Sequence, residues 1–162
     1  MLFIGVLGAV EAVRDDERLA LPAGKTTELL ARLALDAGRP VRVDALVEDL
    51  WGEPTGRNTL QSKISQLRRA LGDKELVRAT GDAYVLAVAP AAVDAHRLVE
   101  IAAAVEEARA AGDHAAAADR AREGTGLFRG EVLPAAGPWA TPYRTRLEET
   151  RWALTEHLME AR

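Results

Sequence analysis

The segment from residue 58 to residue 69 carries a polar face that contains no carboxylate. Projected at 100° per residue, it turns one set of polar side chains away from its apolar residues: Asn58, Ser62, Ser65, Gln66 and Arg69. The flanks of this face carry the remaining polar residues, Gln61 with Arg68 and Thr59 with Lys63. Amides, hydroxyls and cations can approach phosphates and read base edges. The pattern favours a nucleic-acid contact. The alternative is a solvated amphipathic helix, which usually mixes charges of both signs.

The charge distribution supports a local basic surface on an acidic chain. The net charge is −4, yet residues 54–72 hold four basic side chains and no acidic one. Residues 91–162 hold nine basic and twelve acidic side chains. For binding nucleic acid, the local distribution matters more than the total.

Length and composition exclude several classes of protein. A chain of 162 residues with 48% apolar residues can bury a core as one large domain or two small ones. It has no cysteine, so disulfide scaffolds and thiolate sites are excluded. No apolar run approaches the roughly 20 residues of a membrane span, and the N-terminus lacks the basic start of a signal peptide. We expect a cytoplasmic protein, nucleoid-associated when bound to DNA.

The first 22 residues predict a small antiparallel sheet. Strands are expected at Leu2-Phe3-Ile4, Val6-Leu7 and Leu19-Ala20-Leu21, with a polar turn at residues 14–17.

Three helices and a hairpin are expected next. The first helix opens at residues 22–24 and ends at Gly38 and Pro40, and the second spans about residues 44–51. The third starts from Thr55 as N-cap, after Pro54, and runs to residue 71. Strands at 76–78 and 84–86 enclose a turn at 80–82. This order predicts a winged helix-turn-helix, whose third helix would enter the major groove.

The chain becomes almost entirely helical beyond residue 90. Helices are expected at residues 93–111 and 114–128, separated by Gly112-Asp113, and a long helix from about Trp139. Paired helices with small residues at their contacts are typical of helical-repeat modules. The predicted fold class is mainly α with small antiparallel β: a winged helix-turn-helix domain followed by a TPR-like helical domain.

Two residue patterns could indicate an enzyme, and both are weak. Gly24-Lys25-Thr26 is similar to the end of a phosphate-binding loop, but that motif also needs a glycine where Leu19 stands. His96 lies beside Asp94 on an amphipathic helix, where packing or capping is a commoner role than catalysis. We expect no enzyme activity, no cofactor and no metal site.

Several segments resemble one family of regulators. NTLQSKISQLRRAL at residues 58–71 resembles the recognition helix of OmpR-type winged-helix proteins, in particular the Streptomyces antibiotic regulatory protein family. Leu50-Trp51-Gly52 and Gly24-Lys25 match further landmarks of that domain. VDAHRL at 93–98, FRGEVLP at 128–134 and Pro138-Trp139-Ala140 resemble the bacterial transcriptional activation domain that follows it. The resemblance covers essentially the whole chain and implies a truncated or short member of the family.

The resemblance implies a set of DNA-binding residues. It places them at Lys25, Trp51, Arg57, Asn58, Thr59, Gln61, Ser62, Lys63, Ser65, Gln66, Arg68, Arg69, Arg78 and Thr80. Gln61, Ser62, Ser65 and Gln66 are the expected base readers, and Arg78 and Thr80 place the wing against the minor groove. Trp51 could donate its indole N–H to a phosphate or close the core beside the second helix, and both roles are compatible. This sequence departs from the family pattern at Gln66, where arginine is frequent, and in the wing, which reads Gly81-Asp82-Ala83-Tyr84.

The resemblance implies a DNA-binding transcriptional activator of a secondary-metabolite gene cluster. Residues 1–88 would bind direct repeats in double-stranded promoter DNA as a homodimer, and residues 91–162, the N-terminal part of the activation domain, would help to recruit RNA polymerase holoenzyme. The alternative is a protein-interaction module whose winged helix no longer binds DNA, suggested by the acidic total and the irregular wing. No membrane association is expected.

Overall fold

The N-terminal segment forms an antiparallel sheet as predicted, but two of the predicted strands do not form. The computed structural model describes residues 1–53 and 56–160. Strands β1 (Leu2–Gly5), β2 (Glu11–Arg14) and β3 (Glu17–Arg18) pair in that order. The strand predicted at Val6-Leu7 is absent because those two backbone N–H groups donate to the carboxylate of Asp94 instead of to a strand. The strand predicted at residues 19–21 does not form either, and the sheet contains β2 and β3 in its place.

The three predicted helices of the winged helix-turn-helix are all present. They are α1 (Lys25–Ala34), α2 (Val43–Trp51) and α3 (Arg57–Leu71). Gly52 and Gly72 follow the ends of α2 and α3 with φ of 75°, the left-handed conformation that glycine adopts without a steric penalty. Thr55, the predicted N-cap of α3, and Pro54 before it lie outside the described residues, and the N-cap position is held by Gly56.

The wing is a hairpin that a third strand joins. Strands β5 (Val77–Thr80) and β6 (Ala83–Leu86) are antiparallel and confirm the predicted hairpin. Strand β4 (Val41–Arg42), which the sequence did not predict, pairs with β6 to give the order β4-β6-β5. The wing is therefore anchored immediately before α2.

The helical half contains three helices and an irregular segment. Helices α4 (Asp94–Ala110), α5 (His114–Thr125) and α6 (Thr141–Glu160) pack side by side, with a 3-10 turn (Pro138–Ala140) before α6. The predicted break between α4 and α5 is confirmed: Gly112 has φ of 77°, and the Asp113 carboxylate accepts from the N–H of Ala116 at 3.0 Å. Within the described ranges, no helix is both long enough and apolar enough to cross a membrane.

One core runs through both halves of the chain. Ile4 and Leu7 of the N-terminal sheet, Leu30 of α1 and Leu98 of α4 are all completely buried in the same hydrophobic cluster. Ile4 also forms a parallel β-bridge with Val93. The helical half is thus packed against α1 and β1, on the winged-helix half of the molecule.

Candidate nucleic-acid interface

Helix α3 is oriented by its apolar stripe. Leu60, Ile64, Leu67 and Leu71 follow steps of four, three and four residues, and each is at most 1% exposed. These side chains pack against α1 and α2. Because an α-helix turns 100° per residue, burying this stripe leaves the opposite face of α3 at the surface.

The exposed face of α3 carries the polar side chains that the sequence predicted there. Its solvent-exposed residues are Arg57, Asn58, Thr59, Gln61, Ser62, Ser65 and Arg69, and Lys63 is half-buried beside them. No residue of α3 is acidic, and its last turn contains Arg68 and Arg69. The face therefore offers hydroxyl and amide groups for base edges and cations for phosphates.

The side-chain amide of Gln66 is hydrogen-bonded within the fold. Its side chain is half-buried, and Oε1 accepts a hydrogen bond from the Thr26 hydroxyl at 2.7 Å. Thr26 lies in the first turn of α1 and is 1% exposed. The contact sets the position of α3 relative to α1, so the structure gives this predicted base reader a structural partner.

Arg68 is also held inside the winged helix. Its Nε donates to the backbone carbonyl of Val77 at 2.9 Å, and its side chain is half-buried. Val77 is the first residue of β5. Arg68 therefore attaches the end of α3 to the base of the wing, in contrast to Arg69, whose side chain is exposed.

Arg57 forms an ion-pair cluster with two carboxylates at the start of α3. Its guanidinium lies 2.9 Å from Oδ1 of Asp82 and 3.2 Å from Oδ1 of Asp44. The hydrogen bond from Arg57 lowers the pKa of Asp82, and Asp82 in turn raises the pKa of Arg57. The sequence did not predict this cluster. Asp44 lies in the first turn of α2, where a negative charge also suits the helix N-terminus.

The wing presents its two predicted contact residues to solvent. Arg78 and Thr80 are both exposed on β5, and Nε of Arg78 donates to the carbonyl of Glu75 at 3.0 Å. The turn of the wing is fixed to α2, because the carbonyl of Asp82 accepts from the N–H of Val43 at 2.9 Å. The turn therefore lies near the start of α2.

Two other predicted residues lie away from the exposed face of α3. Lys25 begins α1, and its ammonium pairs with Glu28 at 3.0 Å. Trp51 ends α2, is half-buried and packs against the core. Its packing role is therefore present in the structure, while the indole–phosphate contact stays a prediction.

The fold defines a winged-helix domain followed by a helical domain, and both match known families. The model for "Transcriptional regulatory protein, C terminal" matches residues 17–86, and that for "Bacterial transcriptional activator domain" matches residues 93–162. The chain belongs to the Streptomyces antibiotic regulatory protein family, in which an OmpR-type winged helix precedes a bacterial transcriptional activation domain. The family resemblance seen in the sequence is confirmed.

Individual relatives share this arrangement. The chain is 40% identical over 159 residues to Regulatory protein AfsR of Streptomyces coelicolor and 33% identical over 172 residues to Regulatory protein DnrI of Streptomyces peucetius. The alignments cover 96% and 97% of this chain but 16% and 63% of those proteins. The solved structure of Mycobacterium tuberculosis EmbR in complex with a low affinity phosphopeptide superposes with a TM-score of 0.91 at 29% identity. The superposition covers 99% of this chain and 45% of the EmbR chain.

Proposed function

We propose that this chain is a sequence-specific DNA-binding transcriptional activator of a secondary-metabolite gene cluster. The winged helix, at residues 1–88, would bind double-stranded promoter DNA in the cytoplasm, at the nucleoid. The observation that carries the proposal is the exposed face of α3, which has no carboxylate and is held outward by a buried stripe of leucine and isoleucine. The relatives are regulators with the same two domains.

The proposed contact set follows from exposure and from the partners that each side chain already has. Base reading is assigned to Asn58, Gln61, Ser62 and Ser65. Phosphate contact is assigned to the cations Arg57, Lys63, Arg69 and Arg78 and to the hydroxyl groups of Thr59 on α3 and Thr80 on the wing. Trp51 stays a candidate through its indole N–H. Lys25, Gln66 and Arg68 are left out because they are half-buried and their polar groups bind Glu28, Thr26 and the Val77 carbonyl. Arg57 and Arg78 also have partners but are exposed, so they are kept.

Two protomers would bind a direct repeat, with half-sites about 10–10.5 bp apart, one turn of the duplex. The helical half, at residues 91–162, would contact the neighbouring protomer and RNA polymerase holoenzyme. Activation would then work through recruitment. Affinity would come mainly from the phosphate contacts and selectivity from α3.

Selection of random-sequence duplexes on the purified chain, followed by sequencing, tests this proposal. Enrichment of a direct repeat at one-turn spacing supports both DNA binding and pairing. Enrichment of a single half-site supports DNA binding alone. No enrichment at low salt contradicts the activator function.

The ion pairs of Arg57 favour a second candidate, a protein-interaction module. Asp44 and Asp82 place two carboxylates at the edge of the α3 face, where a phosphate would approach. Retention on immobilised heparin separates the two candidates, because the module should elute at low salt and the DNA-binding protein should be retained.

A further inference from the structure

Helix α1 carries two buried charged residues that do not belong to the proposed DNA contacts. Glu28 is 9% exposed and Arg32 is 8% exposed. They are four residues apart, so they lie on the same side of the helix. Charged side chains are rarely buried without partners, and the partners of this pair come from both halves of the chain.

Glu28 is bound to the segment that leads into α6. Its Oε2 accepts from the backbone N–H of Gly137 at 2.9 Å and from Nε1 of Trp139 at 2.6 Å. Its Oε1 accepts from the ammonium of Lys25 at 3.0 Å. Hydrogen bonds to an ionised acceptor are stronger than those between neutral groups, so this carboxylate holds Trp139 in a defined position against α1.

Arg32 forms the second part of this junction between α1 and the segment that leads into α6. It donates to Asp49 of α2 at 2.9 Å and to Asp36 at 2.7 Å. Its guanidinium carbon lies 6.0 Å from the centre of the Trp139 ring and 5.8 Å from that of Tyr143. Both distances are within the range of a cation–π attraction. The aromatic rings at the start of α6 are therefore held from two positions on α1.

The same helix also holds α3. Thr26, two residues before Glu28, donates to Gln66 of α3. Trp139 precedes α6 by two residues. One end of α1 therefore connects both to the helix with the proposed DNA-reading face and to the longest helix of the helical half.

We infer that Glu28 and Trp139 are positioning residues that fix α6 relative to α3, so that two protomers on DNA accept one spacing of half-sites. The inference rests on the proposed function as far as the DNA is concerned. A rigid link between the two helices would give a large gain in affinity at the matching spacing and a loss at any other. With a loose link, the two protomers could bind at several spacings, with a smaller gain in DNA affinity at each.

Trp139→Phe is the direct test, because it removes the indole donor and keeps an aromatic ring. Trp152→Phe is the matched control: the same substitution on α6, at a residue that is 63% exposed. Glu28→Gln, which removes the charge of the acceptor, is a second variant that should act as Trp139→Phe does. Circular dichroism verifies that each variant is folded.

The first measurement needs no DNA. The chain has no cysteine, so Ser65→Cys on α3 and Thr145→Cys on α6 give two unique sites for spin labels. Pulsed electron paramagnetic resonance then measures the distance between the two labels. We expect a narrow distance distribution in the wild type and in Trp152→Phe, and a broadened one in Trp139→Phe. Equal widths in all three proteins would overturn the inference, whatever the DNA result.

The second measurement compares affinity for a single half-site, for the one-turn repeat and for a repeat lengthened by about 2 bp. In the wild type and the control, we expect the one-turn repeat to be favoured over the lengthened one by about fivefold or more, a typical coupling. Trp139→Phe should bring this ratio close to one without changing half-site affinity. An unchanged ratio would contradict the inference. Failure of the wild type to bind any half-site would contradict the proposed function instead, and the spin-label distances would still decide the positioning role.

Discussion

Arg57, the first residue of α3, holds Asp82 at the turn of the wing through two hydrogen bonds. Nη1 lies 2.9 Å from Oδ1, and Nη2 lies 3.3 Å from Oδ2. This bidentate geometry is the strong form of an arginine–carboxylate contact. Both side chains are about half-exposed, so water and salt weaken the pair. A phosphate that approaches the start of α3 must therefore compete with Asp82 for the same guanidinium.

Replacing Asp82 by asparagine should strengthen DNA binding. The substitution removes a carboxylate next to the duplex and ends its competition with the phosphate contact proposed for Arg57. We expect tighter binding at low salt, with the plot of log affinity against log salt steeper by up to about 0.9, the value for one complete phosphate contact. Fluorescence anisotropy of a labelled duplex across a salt series measures both quantities.

The double variant Arg57→Gln, Asp82→Asn is the control for that experiment. If Asp82 acts by occupying Arg57, then Asp82→Asn should leave the salt dependence unchanged once Arg57 is gone. A gain of the same size in both backgrounds would show that Asp82 acts by repelling phosphate directly. Weaker binding of the single variant would contradict the account.

Alanine substitutions of Gln61 and Arg69 should remove different DNA contacts: a base contact for Gln61 and a phosphate contact for Arg69. Gln61→Ala removes an amide that can pair with adenine, so we expect a loss of ~1–3 kcal/mol on the selected site and little loss on random DNA. Arg69→Ala should weaken binding to both duplexes alike and lower the salt slope by about 0.9. Equal losses of Gln61→Ala on both duplexes would remove Gln61 from the base readers.

Arg68→Ala should affect the stability of the winged helix more than its DNA binding. The variant loses the hydrogen bond from a charged donor to the Val77 carbonyl. We expect the free energy of unfolding, measured by urea denaturation, to fall by about 1.5–3 kcal/mol, with the salt slope of DNA binding unchanged. A slope lowered by one phosphate contact at unchanged stability would assign Arg68 to the interface.

Asp94 should make stability depend on pH. It is 2% exposed and accepts from the N–H groups of Val6 and Leu7. Burial is the largest effect and raises the pKa of Asp94 above the ordinary value of 3.8, although these hydrogen bonds and Arg129 act to lower it. The folded chain therefore binds the proton more tightly than the unfolded chain. Between pH 3.8 and the raised folded pKa, the contribution of Asp94 to stability falls as pH rises.

Asp94→Asn removes this titration. The difference in free energy of unfolding between the wild type and the variant should be most favourable to the wild type, and constant, below pH 3.8, the unfolded value. It should decline as pH rises and become constant above the folded pKa. Urea denaturation of both proteins across a pH series measures it. A difference that grows in favour of the wild type as pH rises would contradict the prediction.

The α3 face could be predicted from the sequence because helical periodicity is a local property. The steps between Leu60, Ile64, Leu67 and Leu71 set the buried side, and the polar residues between them then had to face outward. The ends of α2 and α3 are local in the same sense, because a glycine follows each helix and adopts the left-handed conformation without a steric penalty.

What the sequence did not predict depends on contacts between distant residues. Strand β4 has two residues and exists only because β6 pairs with it. The partners of Gln66 and Arg57 lie 40 and 25 residues away in the chain. Glu28 binds Trp139 over 111 residues. The one local signal of that junction was a glutamate and an arginine within the apolar residues of α1.

A carboxylate placed in the middle of the α3 face shows whether this face contacts DNA. Ser65→Glu adds one negative charge at an exposed position of α3, and Thr145→Glu adds the same charge at an exposed position of α6. The measurement is the affinity of each variant for the duplex enriched from random sequences. We expect Ser65→Glu to abolish binding and Thr145→Glu to bind as the wild type does. Equal affinity of the two variants would contradict this expectation.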